Sequence, residues 1–133
     1  MNTKLEKLSP WVELAGRILI ALIFITAGYG KIGGFAATQG YMEAMGVPGA
    51  LLPLVIVTEL GGGILIVLGL FTRYTALALA GFTLLTGLLF HADSTDQTQQ
   101  IMLMKNLAIA GGFLFLVAHG AGKISLDRRL GWS

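Results

Sequence analysis

Residues Leu54–Gly69 read LVIVTELGGGILIVLG, an apolar run interrupted by one acid, Glu59. With its flanks the run extends from Leu51 to Phe71, the ~20 residues that a helix needs to cross a bilayer. It shows no broad polar face of the kind a surface helix presents to water. Counted from Leu51, Glu59 lies eight residues in, ~12 Å deep at the rise of an α-helix and close to the midplane of a ~30 Å hydrocarbon core. An ionised group there costs ~2.5–3.5 kcal/mol even on the lower scales. Glu59 is therefore expected to face the interior of a helix bundle, either protonated or held by a basic partner.

The rest of the chain repeats this pattern. Further apolar runs extend from about Trp11 to Gly30, from Tyr74 to Phe90 and from Ile101 to Ala118. Breakers separate them: Gly33 and Gly34, then Pro48, Gly49 and Pro53, then Thr72 and Arg73, then the polar stretch HADSTDQTQQ from His91 to Gln100. The fold class this predicts is all-α, a four-helix transmembrane bundle formed by residues 1–133 as one domain. Of 133 residues, 55% are hydrophobic and 12% charged, half the charge of an average soluble domain, and the mean hydropathy is +0.78. The first run is no cleaved signal peptide, because its apolar core is long and continues into Lys31 with no clear cleavage site.

Composition also excludes chemistry. With no cysteine, disulfides, thiol nucleophiles and thiolate-held metals or clusters are ruled out. The net charge is +2 with no Lys/Arg stripe, so no nucleic-acid surface is expected. The G-x-G-K-I stretches at Gly28–Ile32 and Gly120–Ile124 lack the further residues of a phosphate loop. His91 and His119 fall at opposite membrane faces, too far apart to clamp one haem. No zinc pattern, dinucleotide fingerprint or serine triad is present, and neither a metal site nor a catalytic residue is assigned.

The Lys/Arg distribution predicts both termini on the cytoplasmic side, with Lys4, Lys7, Arg73, Lys123, Arg128 and Arg129 there and the loop with Asp93 and Asp96 outside. Trp11, Tyr74 and Trp132 suit one interface, Tyr29 and Phe90 the other. The connection from Lys31 to Ala50 places Phe35, Tyr41, Met42 and Met45 among polar residues. This predicts a short helical segment in the first outer loop, lying on the membrane or folded over the bundle. An ordinary loop with one helical turn is the alternative.

Three spans carry ionisable groups within the bilayer: Arg17, Glu59 and Lys105, the last followed by Asn106; Lys31 and His91 stand at outer helix ends. In so small a bundle these six are the candidates for ligand binding or proton relay. Arg17, Lys105, Asn106, Lys31 and His91 are the candidate partners of Glu59, and depth alone favours Lys105 over Arg17, if the second and fourth helices touch. Plainer roles stand beside these. Arg17 can snorkel and pair with Glu13 on its own helix, Lys31 can anchor an interface, His91 can be a loop residue, and a Glu59–Lys105 pair can fix register. Thr58 with Gly62, and Ala108 with Gly112, are small-residue pairs that let helices approach; such faces suit a second copy of the chain as well as its own helices.

Four stretches, GRILIALIFITAGYGKIGG (Gly16–Gly34), LPLVIVTELGGGILIVLGLFTR (Leu52–Arg73), LLFH (Leu88–His91) and MLMKNLAIAGGFLFLVA (Met102–Ala118), together resemble the DoxX family of small bacterial membrane proteins. The resemblance covers nearly the whole chain, from Glu13 to Arg129. It implies a four-helix bundle in the bacterial inner (cytoplasmic) membrane. It also implies a link to quinone-coupled redox or detoxification systems, since the family takes its name from a subunit of a thiosulfate:quinone oxidoreductase. The positions that match the family's pattern are Arg17, Lys31, Glu59, His91, Lys105 and Asn106.

Three functions are therefore open: an accessory subunit that binds a quinone or similar small aromatic, a small proton-coupled transporter or exporter, and a ligand-free scaffold. No cofactor is expected to be covalently bound. Lacking cysteine, the chain would take electrons from a redox partner protein or pass them to a bound quinone.

Overall fold

The computed structural model describes residues 3–91 and 95–132; Asp93 lies outside the described residues. Among them, four helices are long and apolar enough to cross a membrane: Lys4–Gly33, Gly49–Leu68, Thr72–Phe90 and Gln97–His119, here the first to fourth spans. Their ends differ from the apolar runs for identifiable reasons. The first helix begins at Thr3 and continues through Pro10, because its polar first turns extend the helix beyond the stretch that hydropathy detects. The second span stops at Leu68, short of Phe71, where Gly69 takes the left-handed conformation at φ 68°. There Leu70 N donates to Leu65 O at 3.0 Å, the closing bond of a Schellman end. The fourth span starts at Gln97 because Asp96 caps it, accepting from Thr98 N at 3.1 Å.

The second span is not one uniform helix. A 3₁₀ turn, Gly49–Leu51, leads into α-helical Leu52–Ile56. A π-helical turn, Val57–Gly61, follows with Glu59 at its centre, and Gly62–Leu68 is α-helical again. A separate helix, Phe35–Ala44, lies between the first and second spans. Its end is set by Gly46 at φ 81°, with Val47 N donating to Met42 O at 2.8 Å, and Pro48 follows where no helix can continue.

Glycines fix how the spans meet. A Cβ on Gly28 would stand 2.9 Å from Leu60 N, and one on Gly63 would stand 2.7 Å from Ile25 Cγ1, so the first and second spans form one close hairpin. The third and fourth form another, with Gly87 set against Asn106. Gly62 and Gly112 serve packing too, against Leu79 and Ile20. The two hairpins meet in the half nearer the chain termini. Ala21, Phe24, Ile66, Ala76, Leu79, Ala80, Ala110 and Phe113 form the core there, and the Phe24 and Phe113 rings lie 5.4 Å apart. Close contact between the second and third spans belongs to the Gly62–Leu68 half. Toward the loop end the hairpins diverge. Outside, Leu19, Val57 and Phe115 are more than half exposed, the surface expected of a chain whose solvent is lipid.

Candidate functional site

The divergence of the hairpins leaves a cavity of about 440 Å³ at the loop end. Ile23, Phe24, Leu54, Val55, Phe82 and Leu85 give it apolar walls, and the Phe35–Ala44 helix roofs it with Thr38, Tyr41 and Met42. Tyr41 stacks on Phe90 of the third span, with ring centroids 5.6 Å apart, and Met42 is buried.

Five of the six residues singled out from the sequence line this one cavity: Lys31, Glu59, His91, Lys105 and Asn106. Glu59 is buried and ion-paired, and its partner is Lys31, with Nζ 2.6 Å from Oε1. The expectation that Lys105 would be preferred is corrected by helix register. Gly28 abuts Leu60, and Lys31 lies one turn beyond Gly28 on the same face. In an antiparallel hairpin this brings the lysine stem past Leu60 to the acid. The second and fourth spans, by contrast, are not among the closely packed pairs. Lys105 Nζ instead approaches Met102 Sδ at 3.6 Å.

The Lys31 contact is close, yet it meets Glu59 Oε1 off the hydrogen-bond axis, so that buried oxygen has no aligned donor among the described residues. The π turn sets the aim of the acid by inserting one residue into the helical repeat, a feature that recurs at functional sites. Asn106 is buried and donates from Nδ2 to Thr83 O at 3.0 Å and to Thr86 Oγ1 at 3.4 Å. His91 Nδ1 lies 2.6 Å from Gln99 Oε1, tying the end of the third span to the first turn of the fourth.

Sequence reasoning missed the threonines. Thr38, Thr58 and Thr86 line the cavity and direct their hydroxyls to nearby carbonyls. Thr83 also lines it, 3% exposed, and its Oγ1 is buried with no hydrogen-bond partner among the described residues. Nothing in the sequence marked it, since one threonine in an apolar helix ordinarily bonds its own backbone. Among the described residues no group of His, Asp and Glu is arranged to hold a metal ion.

Arg17 belongs to the opposite end. It is 1% exposed and donates to Ile66 O at 3.4 Å and, from Nη2, to Ile124 O. Gly69 and Gly122, at φ 68° and 91°, leave room for Arg17 and Glu13 respectively. Asp127, which the sequence did not suggest as a structural residue, accepts from Phe71 N at 2.7 Å and Thr72 N at 2.9 Å. It thereby satisfies the start of the third span. Phe71, the one non-glycine residue at positive φ among those described, stacks on Trp132 at 5.0 Å. This end is a structural clasp that draws the C-terminal segment, with the short helix Leu126–Leu130, against the first three spans.

The family model described as DoxX matches residues 12–92, the first three spans with Lys31, Glu59 and His91 among them. The chain belongs to the DoxX family. It is 56% identical over 126 residues to inner membrane protein YqjF of Escherichia coli K12, covering 95% of this chain and 97% of the relative. Inner membrane protein YphA of the same organism is 42% identical, with 90% and 91% covered. An uncharacterized protein of Haemophilus influenzae is 35% identical, with 94% and 95% covered. The relatives extend the likeness over the fourth span, and hence over Lys105 and Asn106. No solved structure matches the chain. This DoxX protein is an integral protein of the bacterial inner membrane.

Proposed function

We propose that this DoxX protein binds a quinone or a similar small aromatic molecule in the loop-end cavity and serves as an accessory component of a membrane redox or detoxification system. One observation carries the reading. Five polar candidates converge on an apolar-walled space in which Glu59 Oε1 and Thr83 Oγ1 are buried without aligned partners among the described residues. Its volume of about 440 Å³ lies in the range of small-molecule sites, roughly 300–1,000 Å³. A flat ring would lie against walls such as Phe24 and Phe82, its carbonyl oxygens accepting from Thr83 or Lys105 while Glu59 handles a proton. The test is purification with native lipid, solvent extraction, and melting curves with ubiquinone and menaquinone analogues. The reading requires an extractable quinone or a raised melting temperature; absence of both refutes it.

In this reading both termini face the cytoplasm, in keeping with Lys4, Lys7, Arg73, Lys123, Arg128 and Arg129 at the termini end. A C-terminal fluorescent-protein fusion should fluoresce, and an alkaline phosphatase fusion at the same place should be inactive. A proton-coupled exporter is the second reading, favoured by a buried acid, Glu59, on the wall of a cavity that is packed shut toward the termini. Uptake into proteoliposomes that depends on a pH gradient would select it over the redox role.

A further inference from the structure

The cavity wall has an unbalanced formal charge among the described residues. Among the described residues that line it there is one carboxylate, Glu59, and two amines, Lys31 and Lys105. Lys31 is committed to Glu59 at 2.6 Å. Among the described residues, Lys105 has only a thioether beside it, Met102 Sδ at 3.6 Å. Lys105 thus puts a positive charge at the cavity wall with no counter-charge among the described residues, and an anionic occupant would supply one. Thr83 Oγ1, buried and unpartnered on the same wall, supplies a neutral donor.

The cavity also has exposed residues in its wall. Leu51 and Leu54 on the second span and Leu85 and Leu89 on the third line it while remaining exposed, Leu54 by 63% and Leu85 by 56%. Side chains that face the cavity and the bilayer at once mark the jambs of a slit. It lies where these two spans, in contact through Gly62–Leu68, have parted. A ligand that enters there comes from the hydrocarbon phase and can leave an apolar tail in it.

We infer that the cavity takes a lipid-soluble amphiphile with a single negative charge on its head, entering between Leu54 and Leu85 and setting that head against Lys105. The inference rests on the reading of the cavity as a ligand site and narrows it, since neutral quinones lack the charge.

The test uses the full chain in phosphatidylcholine nanodiscs and two matched probe pairs. The first pair is a hydroxynaphthoquinone, ionised at neutral pH, and menadione, its neutral methyl analogue; the second is decanoate and decanol. The protein should bind the anion of each pair about tenfold more tightly, equivalent to 1.4 kcal/mol. Lys105→Met should abolish that preference, and Lys105→Arg should keep it. Leu54→Trp and Leu85→Trp should slow decanoate uptake from loaded vesicles several-fold. Equal affinity within each pair, or a preference that survives Lys105→Met, overturns the charge assignment, and unchanged uptake overturns the lateral route. Decanoate preferred over decanol with neither naphthoquinone bound refutes the aromatic reading and leaves the anion site standing. Binding of none of the four refutes both.

Discussion

The Lys31–Glu59 pair makes an asymmetric prediction. The Glu59 side chain is 9% exposed and the Lys31 side chain 27%. Replacing Lys31 by Met leaves a carboxylate that cannot reach water, so the cost falls at the lower end of the range for breaking a buried pair, ~3 kcal/mol. Replacing Glu59 by Gln leaves an ammonium on a flexible stem two residues from the helix end. That group can turn toward the interface, and the loss is nearer the value of an exposed pair, ~1 kcal/mol. The double variant removes both charges and should lose less than Lys31→Met alone. At about 4 °C per kcal/mol for a chain of this size, Lys31→Met should lower the detergent melting temperature by ~12 °C and Glu59→Gln by roughly 4 °C. The double variant should fall between them. Thermal melts of the four proteins, read by tryptophan fluorescence, complete the cycle. Equal single losses that add in the double variant would refute the pairing.

Other expectations concern packing and caps. Gly28→Ala pushes a methyl against the Leu60 backbone and should cost about 1–3 kcal/mol; an unshifted melt would contradict the close approach. Asp127→Ala orphans the N–H groups of Phe71 and Thr72 and should cost ~2 kcal/mol, together with faster amide exchange at those two residues. Thr83→Val replaces an unpartnered buried hydroxyl by a methyl, so it should stabilise the ligand-free protein by ~1 kcal/mol while weakening whatever ligand the cavity holds. A variant that is both less stable and unchanged in binding would remove Thr83 from the site.

The four spans and the burial of Glu59 could be read from the sequence because both follow from the cost of polar groups in hydrocarbon, a local property. The identity of the Glu59 partner could not. Depth counted along an ideal helix from Leu51 ignores the start at Gly49 with a 3₁₀ turn and the inserted residue of the π turn. Nor does it fix the hairpin register, which depends on Gly28 meeting Leu60. Arg17 read as a membrane charge because its carbonyl partner, Ile124 O, is 107 residues away. Asp127 was invisible for the same reason. Thr83 became meaningful only when the hairpins were seen to diverge around it.

The clasp at the termini end has a consequence for the order of assembly. Ribosomal synthesis delivers Phe71 and Thr72 well before Asp127, whose carboxylate accepts from both. All four spans are therefore made while the third still lacks its acceptor and Arg17 still lacks the Ile124 carbonyl. Closure of the bundle at this end thus waits for the C-terminal segment. A chain cut back to end between His119 and Asp127 keeps every hydrophobic helix yet lacks this latch.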